Sequence, residues 1–354
     1  MTEQNIAIVG ISGIPADYGG FETFVENWML TTASPDAYAV YCEIKYKSYR
    51  DKSNVKRIFL PLKANGWQSI FFDALAILHS FFLNKSDVTF VLGVSGAWIF
   101  PIVKKVKPAR HLIVNIDGLE WQRRKWSKVQ RKILRRLEWL AVKYSDAVVV
   151  DNGALADYVR RAYNVEADII SYGHEHCSQS IELPKRAAKE YFLSICRIEP
   201  ENNCDVILDA FSKTPDKHIV FVGNWENSEY SRRTREYYSR YSNIELIGPE
   251  YDASKLAELR SGCSAYVHGH SVGGTNPSLI EILRYGKPII AHDNPFNKWA
   301  LANEGLYFNG CDDLQVLLSK TNEYSEQWEV LLNTRYAWKL VVDAYEELQK
   351  KFIG

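Results

Sequence analysis

Short runs of consecutive apolar residues, rich in Val and Ile, punctuate the first part of the chain at residues 6–9, 88–92, 111–115 and 147–150. Runs that are apolar at successive positions, and not at alternate ones, predict parallel strands buried on both faces, and the longer mixed segments between them suit crossover helices. The same rhythm restarts after Pro184, with runs at 191–196, 218–222, 244–247, 265–268 and 288–291. A pattern that begins twice predicts two doubly wound α/β domains. Between them, residues 172–189 carry Gly173, Pro184 and charged residues with little apolar periodicity, as a linker would. The expected division is therefore 1–180, 181–330 and a closing segment 331–354. Within that last segment, Tyr336, Trp338, Leu340, Val341, Tyr345 and Leu348 alternate with charges as on one amphipathic helix that could pack back across the domain junction. No internal repeat or low-complexity tract interrupts the scheme.

Composition narrows the class. A chain of 354 residues with 46% hydrophobic content exceeds what one core usually holds, about 250 to 300 residues, so two cores are expected. Lys plus Arg and Asp plus Glu are equal at 43 each, which argues against a global nucleic-acid-binding field and leaves any basic surface local. The six cysteines are scattered without a C-x-x-C pair, as fits reduced thiols in a cytoplasmic compartment. The N-terminus has neither the basic start nor the long apolar run of a signal peptide. The greasiest stretches, 70–83 and 91–103, fall short of the roughly 18 residues that a membrane span needs.

Chemistry gathers where strands end. The first strand runs into Gly10-Ile11-Ser12-Gly13-Ile14-Pro15-Ala16-Asp17-Tyr18-Gly19-Gly20-Phe21-Glu22-Thr23. Glycines at a helix mouth let backbone N–H groups approach an anion such as phosphate; a tight turn needing positive φ is the alternative. The spacing is not G-x-G-x-x-G, and no acid closes a clear second strand about 20 residues on, which disfavours a dinucleotide site. What reads as the third strand delivers Asn115-Ile116-Asp117-Gly118-Leu119-Glu120-Trp121 at its carboxyl end. Ligands of open α/β sheets bind there, so Asp117 and Glu120 can meet a polar substrate and Trp121 can stack on a sugar, unless Asp117-Gly118 is only a turn. A basic helix follows, from Arg123 to Lys143, with an apolar stripe through Val129, Ile133, Leu137 and Leu140. With aromatic residues Trp67, Phe71, Phe72, Phe81 and Phe82 it could meet an anionic lipid surface; alternatively it packs on the core with solvated charges.

In the second domain, Ser194-Ile195-Cys196-Arg197-Ile198-Glu199-Pro200-Glu201-Asn202-Asn203 ends a strand in an arginine, the side chain suited to planar phosphate binding. The strand ending at His268 opens into Gly269-His270-Ser271-Val272-Gly273-Gly274-Thr275-Asn276-Pro277-Ser278, a second candidate cradle of backbone donors. About one turn into the next helix, Glu281 could accept two ribose hydroxyls. His268, His270 and His292 invite a metal reading, but no carboxylate sits at ligand spacing and no Asp-x-Asp motif occurs, so hydrogen-bonding roles and a metal-independent chemistry without cofactor are expected.

Together these blocks, with Gly286-Lys287-Pro288 after Glu281, resemble the retaining GT-B glycosyltransferases. More narrowly, the Gly13–Thr23, Asp117–Trp121, Cys196–Asn203 and His268–Ser278 blocks are similar to a bacterial subgroup that includes β-1,4-rhamnosyltransferases of capsule and cell-wall polysaccharide assembly. The resemblance covers nearly the whole chain. It implies two Rossmann-like domains facing a cleft, on a cytoplasmic enzyme peripheral to the inner face of the cell membrane. The donor it implies is a nucleotide diphosphate sugar, foremost dTDP-rhamnose, held by Arg197, Gly273, Gly274, Thr275, Asn276 and Glu281 with the Gly19 and Gly20 loop. The implied acceptor is a polyprenyl-diphosphate-linked saccharide near Tyr18, Phe21, Glu22, Thr23, Asp117 and Glu120. Asp117 and Arg197 are the expected catalytic residues, and no nucleic acid partner is implied. Two positions depart from the broad family: its phosphate-binding lysine falls on Asn202, and the first acid of its paired-glutamate motif falls on Gly273. A non-hydrolysing sugar-nucleotide epimerase and a noncatalytic nucleotide-sugar or polysaccharide-binding protein are the competing readings.

Overall fold

Among the described residues every strand pair is parallel, and the strands fall into two sheets. The computed structural model describes residues 4–16, 19–48, 55–123, 125–175, 190–320 and 327–353. Tyr18, Arg124 and residues 176–189 of the expected linker lie outside the described residues.

The first unit comprises Met1–Tyr172 and Trp338–Gly354. Its strands are β1 (Asn5–Val9), β2 (Ala37–Glu43), β3 (Val55–Leu60), β4 (Val88–Leu92), β5 (His111–Ile116), β6 (Ala147–Val150) and β7 (Asp168–Ile169). They lie in the order β3-β2-β1-β4-β5-β6-β7. Helices α1 (Gly20–Thr31), α2 (Ser69–Phe82), α3 (Phe100–Val106), α4 (Lys128–Tyr144) and α5 (Gly153–Tyr163) make the crossovers. Sequence runs marked four of these strands, so the Asp117 strand is the fifth in chain order, not the third. The strand β3 escaped notice because it carries Lys56 and Arg57. Arg57 is buried and donates from Nη1 to the carbonyls of Tyr46 at 2.9 Å and Ile14 at 3.3 Å, so its charge is spent on backbone oxygens. The strand β2 does close on an acid, Glu43, contrary to expectation; its carboxylate accepts the Ala64 N–H at 2.9 Å and is thereby used to fasten a loop.

The second unit is Gly173–Ala337. It contains β8 (Phe192–Ile195), α6 (Cys204–Ser212), β9 (Ile219–Val222), α7 (Glu229–Tyr238), β10 (Ile244–Ile247), α8 (Ala253–Gly262), β11 (Ala265–His268), α9 (Pro277–Leu283), β12 (Ile289–His292), α10 (Pro295–Ala300), β13 (Leu306–Phe308), α11 (Cys311–Leu317) and α12 (Gln327–Arg335). The sheet order is β10-β9-β8-β11-β12-β13. Residues of opposite parity along β8 and β9 serve different clusters: Phe192, Ile219 and Phe221 in one, Leu193, Val220 and Val222 in the other. That two-sided burial is why these strands read as unbroken apolar runs.

The closing segment is two helices, where one was expected. In α12, Trp328, Leu331 and Leu332 bury in the second unit, and Tyr336 just beyond donates its hydroxyl to the Ala300 carbonyl at 2.8 Å. The next helix, α13 (Trp338–Ile353), belongs to the first unit, where Trp338, Val341, Tyr345 and Leu348 pack against Phe24, Val25 and Trp28 of α1. Tyr336 and Trp338 are thus drawn into different cores, and the helix breaks between them. Gly173 and His174, expected within the first domain, begin the second unit, and His174 donates its N–H to the Tyr336 carbonyl at 2.9 Å. The described cysteines are unbridged.

Candidate functional site

In both sheets the strand order reverses, between β1 and β4 in the first unit and between β8 and β11 in the second. Ligands of open α/β sheets bind outside the carboxyl ends of the strands at such reversals, because the two loops there diverge to opposite faces and leave a crevice. The loops after β8 and β11 carry Arg197 and Gly269–Asn276, so the second unit's reversal coincides with two sequence blocks.

Those two loops are fastened to each other. Ser271 donates from both its N–H (2.9 Å) and its hydroxyl (2.7 Å) to the Glu201 carbonyl, and Asn203 Nδ2 donates to the Gly269 carbonyl at 2.8 Å. Asn202, 3% exposed, donates from Nδ2 to the Arg197 carbonyl at 2.6 Å and meets His270 Nδ1 through Oδ1 at 2.7 Å. An amide oxygen can only accept, so the His270 proton sits on Nδ1. A Cβ on Gly269 would overlap the Asn202 carbonyl, which is why glycine stands there. The His270 carbonyl in turn accepts from Asn294 and Asn297, each at 2.9 Å. The asparagines of this network escaped sequence reading, since nothing in a lone Asn signals burial.

Within the braced pair, Arg197 is exposed, its side chain 46% accessible, and it pairs loosely with Glu199 at 3.9 Å. Gly273 takes φ +108°, a conformation natural to glycine, while Gly273, Gly274 and Thr275 are buried. The Asn276 side chain caps α9, its Oδ1 accepting from the Ser278 N–H at 3.0 Å and hydroxyl at 2.8 Å. Glu281 forms a hydrogen-bonded ion pair with Arg260 of α8, and the two side chains are 15% and 5% accessible. Arg260 was not anticipated as its partner. Burial pushes the His268 and His292 rings below the usual imidazole range. Among the described residues no three His, Cys, Asp or Glu side chains are grouped to hold a metal ion.

The first unit's candidates are partly drawn into its own scaffold. Gly19 precedes α1 with φ +121° and Gly20 opens the helix. Glu22 is buried and accepts the Ser12 N–H at 2.8 Å, tying the helix's first turn to the loop after β1. Thr23 donates its hydroxyl to the Gly19 carbonyl at 3.0 Å, and Phe21 packs against the core. Asp117 is exposed just beyond β5, two strands from β1 and so roughly 10 Å away across the sheet. Glu120 accepts from Trp126 Nε1 at 3.0 Å and pairs with Arg123 at 2.8 Å and Lys125 at 3.2 Å. The Trp121 ring is covered by the Arg135 guanidinium, 5.2 Å from its centroid. A pair not foreseen lies after β4, where the Ser95 hydroxyl donates to the buried carboxyl of Asp73 on α2.

Residues 3–175 match the family described as "Domain of unknown function (DUF1972)", and residues 178–315 match "Glycosyl transferases group 1". A search of curated proteins gave no match. Among solved structures, sucrose-phosphate synthase from Thermosynechococcus elongatus superposes with a TM-score of 0.80 at 15% identity, over 99% of each chain. An α,α-trehalose-phosphate synthase (UDP-forming) from Burkholderia xenovorans gives 0.71 at 11% identity over 100% of each. A structure described as a UDP-N-acetylglucosamine 2-epimerase, from Listeria monocytogenes, gives 0.63 at 10% identity over 99% of this chain and 97% of that one. The two parallel sheets thus form a GT-B fold like that of these structures, and its second unit carries the match to the group 1 glycosyltransferase domain.

Proposed function

We propose that the protein is a retaining transferase that moves a sugar, L-rhamnose from dTDP-rhamnose, onto a polyprenyl-diphosphate-linked saccharide at the inner face of the cell membrane. The observation that carries the donor half is the braced loop pair at the second unit's strand reversal, which presents an exposed arginine beside a buried glycine turn. Sugar transfer develops positive charge on the anomeric carbon and negative charge on the departing diphosphate, so a fixed cation near the phosphates lowers the barrier most. Arg197 supplies that cation, and the backbone of Gly273, Gly274 and Thr275 supplies donors. Glu281, oriented by Arg260, takes the ribose hydroxyls. Asp117 orients the acceptor hydroxyl, whose proton passes to the leaving phosphate in a front-face attack. The four sequence blocks similar to β-1,4-rhamnosyltransferases support the sugar and the lipid-linked acceptor.

Thermal stabilisation by a panel of nucleotide sugars tests the donor directly, because a ligand at 100 times its Kd adds about 2.7 kcal/mol to the folded state. dTDP-rhamnose should raise the melting temperature more than UDP- or GDP-sugars; a flat panel sinks the donor assignment. The likeness to an epimerase structure keeps one rival open. Release of nucleotide and free sugar without any acceptor would favour it.

A further inference from the structure

The helix α2 is apolar nearly all round. Its inner residues Phe72, Ala76, Ile77 and Phe81 are buried, yet Phe71, Leu75 and Phe82 on the outward stripe are exposed. Phe72 and Phe81 thus leave the aromatic group expected at a lipid surface, being 0% exposed in the core. A helix apolar on every side normally has a partner on every side. Here the outward stripe continues into neighbouring elements. Trp67, 74% exposed in the turn before α2, lies 6.3 Å from the Phe71 ring. Trp98, after β4, donates its indole N–H to the Ile70 carbonyl at 3.3 Å and stays partly exposed. The turn holding Trp98 packs on both α2 and α4, and α3, with Ile102 and Val106 exposed, packs on α4. On α4, Val129 and Ile133 are exposed one turn apart, between Lys128, Lys132 and Arg136.

Charge says what covers this face. Residues 66–146 contain fourteen Lys or Arg and six Asp or Glu, in a chain that is balanced at 43 each. Of those acids, Asp73 and Glu138 are buried, Glu120 is paired with Arg123 and Lys125, and Asp146 with Lys104. A second copy of the chain meeting this face through itself would oppose like charges. A leaflet containing anionic phospholipid offers apolar depth for the aromatic side chains and negative headgroups for the cations around them.

We propose that the face built by α2, α3, α4 and the Trp67 and Trp98 turns docks the first unit on an anionic phospholipid leaflet. The inference deepens the proposed function and rests on its lipid-linked acceptor for its purpose. The test uses the full chain and extruded vesicles without nucleotide sugar, so that its failure is separate from failure of the donor assignment. Cosedimentation should be at least tenfold stronger with phosphatidylcholine vesicles holding 30% phosphatidylglycerol than with phosphatidylcholine alone, and should weaken at high salt. Substituting Trp67→Ser with Phe71→Ser should cut binding at least tenfold at any salt, while Lys128→Glu with Lys132→Glu should remove the preference for phosphatidylglycerol. All four side chains are exposed, so circular dichroism and melting temperature should be unchanged. Absence of vesicle binding, or binding unaffected by both double variants, overturns the proposal. So does a dimer, seen by light scattering, that the serine variants dissolve.

Discussion

Arg197 and Asn202 sit five residues apart and do opposite work. Arg197 is exposed and its side chain stabilises little, so Arg197→Ala should leave the unfolding midpoint within about 0.5 kcal/mol of the parent. It should lower kcat/KM about 10²- to 10³-fold, the cost of a lost charge-stabilising group at a transition state; unchanged kinetics would remove Arg197 from the site. Asn202 is buried and joins both loops. Restoring the broad family's lysine, Asn202→Lys, should therefore not improve activity. An ammonium accepts no hydrogen bond, so the His270 Nδ1–H would lose its partner, and urea unfolding should register a loss of about 1–3 kcal/mol. Asp73 gives a pH signature. Burial pushes its carboxyl up from 3.8 to about 7, with the Ser95 hydrogen bond pulling the other way. The folded state then holds a proton that the unfolded chain has released, so stability is greatest below pH 4 for this group and falls as pH rises to 7. The swing is on the order of 4 kcal/mol, and Asp73→Asn should flatten it in denaturation curves across that range.

At the scale of elements, α13 decides whether the first unit has a core. Tyr345 is buried against Phe24, Trp28 and Phe90, with ring centroids at 5.1, 4.7 and 5.6 Å, and accepts a hydrogen bond from Asn115 Nδ2. Tyr345→Ala should cost about 3–5 kcal/mol, as for other large aromatic truncations. Ending the chain at residue 337 would uncover α1 and should leave the first unit without a cooperative transition in calorimetry. The basic helix α4 reads differently once its faces are known. Its Leu137, Ala141 and Val142 serve the core while Val129 and Ile133 do not, so neither a purely packed helix nor a purely solvated one describes it.

For the whole molecule, the second unit is one continuous stretch, 173–337, whereas the first needs both ends of the chain. Residues 173–337 expressed alone should fold and bind a nucleotide sugar, measurable by calorimetry, while residues 1–172 alone should not fold. Failure of the second-unit fragment to bind would mean that donor recognition needs residues of the first.

The two sheets were legible in the sequence because parallel strands buried on both faces must be apolar at successive positions, a signal that survives without any partner in view. Arginine at the end of β8 and glycines after β11 were legible for a similar reason, since cation and backbone freedom are properties of single residues. The strand β3 was not, because its buried Arg57 finds carbonyls contributed by other segments. Nor were the roles of Glu22 and Glu120, whose oxygens are taken by groups that only folding brings near. The break between α12 and α13 depends on two cores competing for adjacent side chains. The sequence by itself determined the double α/β repeat and the arginine and glycines that a phosphate site would need. The tertiary structure decided which polar groups brace the site and which remain to act in it, because a hydrogen bond needs both partners in place before it has a meaning.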